Sequence, residues 1–158
     1  MKHTRQCIMV FCVLISALGT QAQVEIDSLM SAPTVSPHVK FQNHFYEALK
    51  QKALENYSKA LKELVACKAI DSLESVVFHE IGINYFSLKQ YNNAEYNFQK
   101  AIALDSTNFW YKESLYHLYV EQARYEDAIE ALKPLLYRSS DYHQDLANLY
   151  INVGNYNE

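Results

Sequence analysis

Apolar residues recur along most of the chain at intervals of three and four positions. Such spacing places the apolar side chains on one face of a helix, and the sequence has few of the turn residues that a β-rich domain needs, with three Gly and three Pro in 158 residues. One such set is Phe78, Ile81, Gly82 and Tyr85, and a second is Ala94, Phe98, Ala101 and Ile102. The pattern therefore predicts helices joined by short turns.

These helical patterns repeat at a fixed period. Tyr57, Tyr91 and Tyr125 follow one another at two equal intervals. Neighbouring columns keep the same interval: Ala60, Ala94 and Ala128, then Leu64, Phe98 and Leu132. A period of this length, about 34 residues, is typical of stacked supersecondary units, here pairs of helices whose small residues let the two backbones approach closely.

The repeat resembles the tetratricopeptide repeat (TPR) family, whose units carry an aromatic residue, a Leu-Gly pair, a Tyr, an Ala, an aromatic residue and an Ala in about 34 residues. The stretch FHEIGINYFSLKQYNNAEYNFQKAIALDS, residues 78–106, matches nearly every column, with Ser106 where the family usually has Pro. The resemblance implies an all-α fold, a right-handed α-solenoid of helix-turn-helix repeats. Its expected units are residues 41–74, 75–108 and 109–139 and a partial unit 140–158.

Pro134 interrupts the third unit. Proline removes a backbone donor and clashes with the preceding turn, which costs about 3 kcal/mol inside a helix. The interval between the repeated tyrosines also shortens here: Tyr156 follows Tyr125 at less than a full period. We expect a kink or an early helix end within residues 133–137.

The beginning of the chain has the pattern of a secretory signal peptide. Lys2 and Arg5 precede the apolar stretch CIMVFCVLISAL, and Thr20 and Ala22 form a small-x-small exit. We therefore expect residues 1–22 to be a signal peptide, residues 23–40 to be a leader or linker, and residues 41–158 to be the TPR-like domain. This predicts an exported protein, periplasmic or secreted, of bacterial type.

The charge and the motifs of the chain exclude several classes of function. Its net charge is −4 with no basic run, which argues against nucleic acid as a partner. No apolar stretch after the signal reaches the roughly 20 residues that a membrane span needs. No phosphate loop or hydrolase motif occurs, so we expect no enzyme and no cofactor.

His79 and His117 lack further ligands at metal-binding spacing, and isolated surface histidines are the favoured interpretation. Cys67 falls on a small-residue column and is expected to be buried.

The resemblance implies a binding groove lined by the first helix of each unit. By repeat position its residues are Phe45, Leu49, His79, Ile83, Phe86, Trp110, Glu113, His117, Val120, Gln144 and Asn148. Family members that bind a C-terminal carboxylate use Lys, Arg and Asn in these columns. Here one column holds Phe45, His79 and Glu113 instead, so binding of the C-terminal tail of a chaperone is disfavoured.

Two functional hypotheses follow, and a third, an enzyme within these residues, has little support. The first is an exported interaction scaffold that binds a peptide or helix of another protein in its groove. The alternative is the sensory or docking region of a longer exported or membrane-anchored signalling protein, since the last residues, GNYNE, open a helix without completing it. The oligomeric state and the identity of the partner stay open.

Overall fold

The computed structural model describes residues 35–154, most of which are helical. The helices are α1 (Pro37–Ala53), α2 (Tyr57–Ile70), α3 (Ser75–Ser87), α4 (Tyr91–Leu104), α5 (Phe109–Glu121), α6 (Tyr125–Leu132), a 3₁₀ turn (Lys133–Leu135) and α7 (Asp141–Val153). These residues contain no strand, and the predicted all-α class is confirmed. The predicted signal peptide, residues 23–34 of the predicted leader and the end of the partial unit lie outside the described residues. Among the helices described, none combines the length and the apolarity that crossing a bilayer requires.

Consecutive helices pack as hairpins. The pairs α1–α2, α3–α4 and α5–α6 each form one unit, and the second helix of each unit also packs against the first helix of the next. The described residues therefore form three hairpins followed by α7. Helix α1 begins at Pro37, inside the predicted leader, because proline has its φ fixed at a helical value and its missing N–H is unneeded in a first turn.

The turn inside each hairpin has the same backbone conformation. Glu55, Lys89 and Ala123 all have positive φ, of 58°, 57° and 54°, and they recur at the period of the repeat. Two backbone hydrogen bonds close the turn after α3, from Lys89 to the Phe86 carbonyl and from Gln90 to the Tyr85 carbonyl. Such bonds satisfy carbonyls that the end of a helix leaves unpaired, so the left-handed residue ends the first helix in every unit.

The core lies between the two helices of each hairpin and between successive hairpins. Gly82 on α3 faces Phe98 on α4, and a Cβ at Gly82 would lie 2.5 Å from two Phe98 ring atoms. The predicted close approach at this small residue is therefore confirmed. Cys67 is fully buried, as its column predicts, and burial raises the pKa of its thiol to about 11.

Pro134 ends the regular helix of the third unit. Helix α6 is only eight residues long and stops at Leu132, and the chain continues as a 3₁₀ turn with the proline near its start. The predicted early helix end is confirmed. Because Leu132 and Leu135 are both fully buried, the tighter turn keeps the chain packed on the core despite the lost helical bonds.

Candidate functional site

The structure divides the eleven predicted groove residues by their exposure. Five of them are exposed and belong to the last two first helices: Trp110, His117 and Val120 on α5, and Gln144 and Asn148 on α7. The other six are partly buried: Phe45, Leu49, His79, Ile83, Phe86 and Glu113. The part of this surface that is open to solvent is therefore concentrated on α5 and α7.

Apolar residues of the first two units support the core more than they line a groove. Phe45 stacks on Phe41 with ring centroids 5.9 Å apart, and both pack against the buried cluster around Ala48 and Leu64. Ile83 and Phe86 pack against the cluster that contains Phe98. These side chains present only part of their surface to a ligand.

His79, on α3, contacts α5. Its Nε2 lies 2.8 Å from the hydroxyl of Ser114, and its ring is 4.7 Å from the ring of Tyr111. Because the Ser114 hydroxyl donates to the Trp110 carbonyl, it accepts its bond from the imidazole N–H. Burial, and then the charge of Lys52, lowers the His79 pKa to about 4. The interpretation of His79 as an isolated surface histidine is wrong; it is a neutral packing residue.

Glu113 is tied to the last helix. The Tyr142 hydroxyl on α7 donates to Glu113 Oε1, and this bond, together with burial, raises the pKa of Tyr142 to about 12. The phenol therefore keeps its proton near neutral pH, and Glu113 accepts the bond as a carboxylate. Its negative charge is shared through the hydrogen bond and is not cancelled.

A repeat column outside the predicted groove makes several of the contacts between first helices. Lys52 on α1 forms a 2.6 Å ion pair with Glu80 on α3. Ser114 accepts from His79, and Asp145 faces the buried hydroxyl of Tyr116, whose pKa rises to about 12 through burial and then the Asp145 charge. The column consists of Tyr46, Glu80, Ser114 and Asp145, which follow the period of the repeat and its shortened last interval. Polar residues that recur at the repeat spacing were the sequence signal that could have identified this column as a contact between units.

The exposed side chains of α5 and α7 form a mixed surface that we call the acidic–aromatic face. Helical spacing places its members on one side of each helix. The hydrogen bond from Tyr142 to Glu113 joins the two helices, and Ser114, next to Glu113, contacts His79 on α3. The face consists of Trp110, Glu113, His117, Val120, Asp141, Gln144, Asp145, Asn148 and Ile151. Trp110 is 58% exposed and Ile151 54%, high values for large apolar residues.

Other candidate sites are weaker. Among residues 35–154, no group of three or more His, Cys, Asp or Glu side chains is placed to hold a metal ion. An open polar hollow of about 390 Å³ lies at the turn before α4, lined by Lys89, Gln90, Tyr91, Asn92, Asn93 and Gln122. It lacks the apolar lining that small-molecule sites usually have.

Neither the protein-family models nor the curated protein sequences include a match to this chain. Solved structures do match in fold. A MamA crystal structure is 17% identical with a TM-score of 0.67, over 73% of this chain and 70% of that one. The first TPR domain of human RPAP3 is 16% identical with a TM-score of 0.66, over 75% of this chain and 95% of that one. The fold is therefore TPR-like.

Two further structural neighbours show that this fold occurs in proteins of different kinds. The first TPR of Spaghetti (RPAP3), bound to the HSP90 peptide SRMEEVD, is 16% identical with a TM-score of 0.67, over 78% of this chain and 99% of that one. A mutant O-GlcNAc transferase from Thermobaculum terrenum is 20% identical with a TM-score of 0.62, over 76% of this chain but only 23% of that one. At these identities the likeness establishes the fold alone.

Proposed function

We propose that the chain is an exported protein-interaction scaffold that binds a peptide or helix of a partner protein on the first-helix side of its repeats. The observation that carries the proposal is the exposed Trp110 among apolar and charged neighbours on α5 and α7. Large exposed aromatic residues on a rigid helical scaffold are typical anchors of protein interfaces. The role we infer is binding rather than catalysis.

The bound peptides of structural neighbours support a peptide as the ligand class. The HSP90 peptide bound to the Spaghetti domain, SRMEEVD, has three acidic residues among its last four. The positions that would meet such a tail in this chain hold Phe45, His79 and Glu113, which provide no lysine or arginine. The proposal therefore takes from the neighbours the mode of binding and not the acidic ligand.

Replacing the exposed tryptophan tests the binding surface. The tagged full-length chain is used to capture proteins from its source cells, and Trp110→Ala is compared with Tyr96→Ala. Tyr96 is a matched control because it is 55% exposed but lies on α4, a second helix. We expect at least one protein to be captured by the wild type and by Tyr96→Ala and lost with Trp110→Ala, at unchanged helical circular dichroism. Equal capture by all three chains, or capture of nothing, contradicts the proposal.

Export is tested independently of binding. The residue pattern of positions 1–22 predicts cleavage after Ala22. We expect the protein recovered outside the cytoplasm to begin at Gln23, as read by intact mass or N-terminal sequencing. An uncleaved chain confined to the cytoplasm contradicts export and leaves the binding proposal standing.

A further inference from the structure

The acidic–aromatic face carries three carboxylates that form no ion pair within residues 35–154. Glu113 and Asp145 are partly buried and Asp141 is exposed. In this part of the chain Glu113 instead accepts a hydrogen bond from the Tyr142 hydroxyl, and Asp145 faces the Tyr116 hydroxyl; both hydroxyls stay neutral because their pKa is raised to about 12. A partly desolvated carboxylate without a cation is less stable than one with a cation, so the face favours a positively charged ligand.

Two cations lie near this face, Lys112 and Arg138, and neither forms an ion pair with its three carboxylates. Helix α7 contains no Lys or Arg. The one Lys or Arg of α5 is Lys112, whose charge, after the hydrogen bonds from Thr107, helps to lower the pKa of Asp105. Arg138 forms no ion pair with these carboxylates; its guanidinium lies over the Phe109 ring, 3.4 Å from the centroid, and its charge acts on Tyr142. By contrast, Glu80 between the first two units is paired with Lys52.

The aromatic part of the face suits the same kind of ligand. Trp110 offers an exposed indole, and indole rings bind Lys and Arg side chains through cation–π attraction. Val120 and Ile151 provide apolar contact area on the two helices. Trp110 and Val120 are ten residues apart on α5, which is about 15 Å along the helix axis. A bound segment of five extended residues or three helical turns would span this length.

We propose that the acidic–aromatic face binds a cationic segment of a partner protein, in which lysine or arginine side chains accompany apolar ones. The inference rests on the proposed function and adds the chemistry of the partner. Acidic tails, nucleic acids and anionic membrane surfaces are disfavoured, because each would bring negative charge next to Glu113, Asp141 and Asp145.

Selection from a random peptide library tests the charge preference without requiring that the partner be identified. A displayed library of random 16-residue peptides is sorted against the full-length chain at low ionic strength, and the affinities of the selected peptides are then measured. We expect the selected peptides to contain more Lys and Arg than Asp and Glu and to include apolar residues. Their affinity should fall steeply with added salt, since exposed charge pairs are screened.

Two matched charge variants identify the surface that is responsible. The triple variant Glu113→Gln, Asp141→Asn, Asp145→Asn removes three negative charges while its amides can still accept hydrogen bonds. The control variant Glu55→Gln, Glu126→Gln, Glu130→Gln removes three exposed charges outside the face. We expect the selected peptides to bind the first variant about tenfold more weakly, from a few-fold per charge, and the control as they bind the wild type.

The possible outcomes separate the two proposals. Selection of acidic or charge-balanced peptides overturns the charge preference while leaving the peptide-binding function intact. Equal affinity for the two triple variants overturns the assignment to this face. If no peptide is selected, the proposed function fails and this inference fails with it.

Discussion

His79 illustrates how the environment of one side chain changes its chemistry. In the folded chain its pKa falls from 6.5 to about 4, because burial and the nearby Lys52 disfavour the imidazolium. Between these two values the unfolded chain binds more protons than the folded chain. The contribution of neutral His79 to stability is therefore complete above about pH 6.5 and is lost as the pH falls toward 4.

The variant His79→Gln tests this linkage, because glutamine can still donate to Ser114 but does not titrate. Between pH 7 and pH 4.5 we expect the wild type to lose about 2 kcal/mol more unfolding free energy than His79→Gln, a figure reduced from the full shift because the ring is partly exposed. Urea unfolding at the two pH values measures the difference. Identical losses for the two chains would show that His79 titrates normally in the folded state.

Ala123 has a backbone conformation that suits glycine. Its φ of 54° is unfavourable for a residue with a Cβ, whereas the turn after the last helix has glycine, Gly154, at φ 80°. We expect Ala123→Gly to raise the free energy of unfolding by about 0.5–1 kcal/mol, as measured in urea. The control Ala103→Gly, on an exposed part of α4, should lower it by about 1 kcal/mol. If both variants destabilise the chain, the turn stores no strain.

At the level of elements, the packing of the hairpin α3–α4 depends on Gly82, which has no side chain. The Cβ of an alanine at position 82 would collide with the Phe98 ring, which is itself fully buried and has little room to move. We expect Gly82→Ala to cost about 2 kcal/mol of unfolding free energy. In a Phe98→Leu background the same substitution should cost at least about 1 kcal/mol less, as a double-mutant cycle in urea would measure. Equal costs in the two backgrounds would mean that the two helices are not in contact here.

Most elements could be predicted from the sequence, and the exceptions have identifiable causes. The repeat columns predict the hairpins because each column is a packing position, and Pro134 predicts the end of α6 because its effect is local. The first turn of α1 could not be predicted, because residues 37–40 are exposed and so carry no apolar pattern. A helix end without buried residues leaves little signal in hydrophobic periodicity.

For the molecule as a whole, the sequence predicted the order of the helices better than it predicted which of their side chains are exposed. Repeat columns place residues on a helix face, but the contacts between neighbouring first helices depend on how the units stack. That stacking turns His79 toward Ser114 and Tyr142 toward Glu113 and leaves Trp110 exposed. The charge of the acidic–aromatic face likewise combines residues of two units, Glu113 with Asp141 and Asp145, which no single repeat contains.

Trp110 is the only tryptophan in the chain, so its fluorescence reports directly on binding at the acidic–aromatic face. The full-length protein is titrated with a library-selected cationic peptide that contains no tryptophan, and Trp110 fluorescence is followed while calorimetry measures binding independently. The proposed binding at this face predicts a saturable change in emission, with a shift to shorter wavelength as the indole leaves water, and the same dissociation constant from both methods. Binding detected by calorimetry with no change in Trp110 emission would contradict it, because the ligand would then occupy another surface.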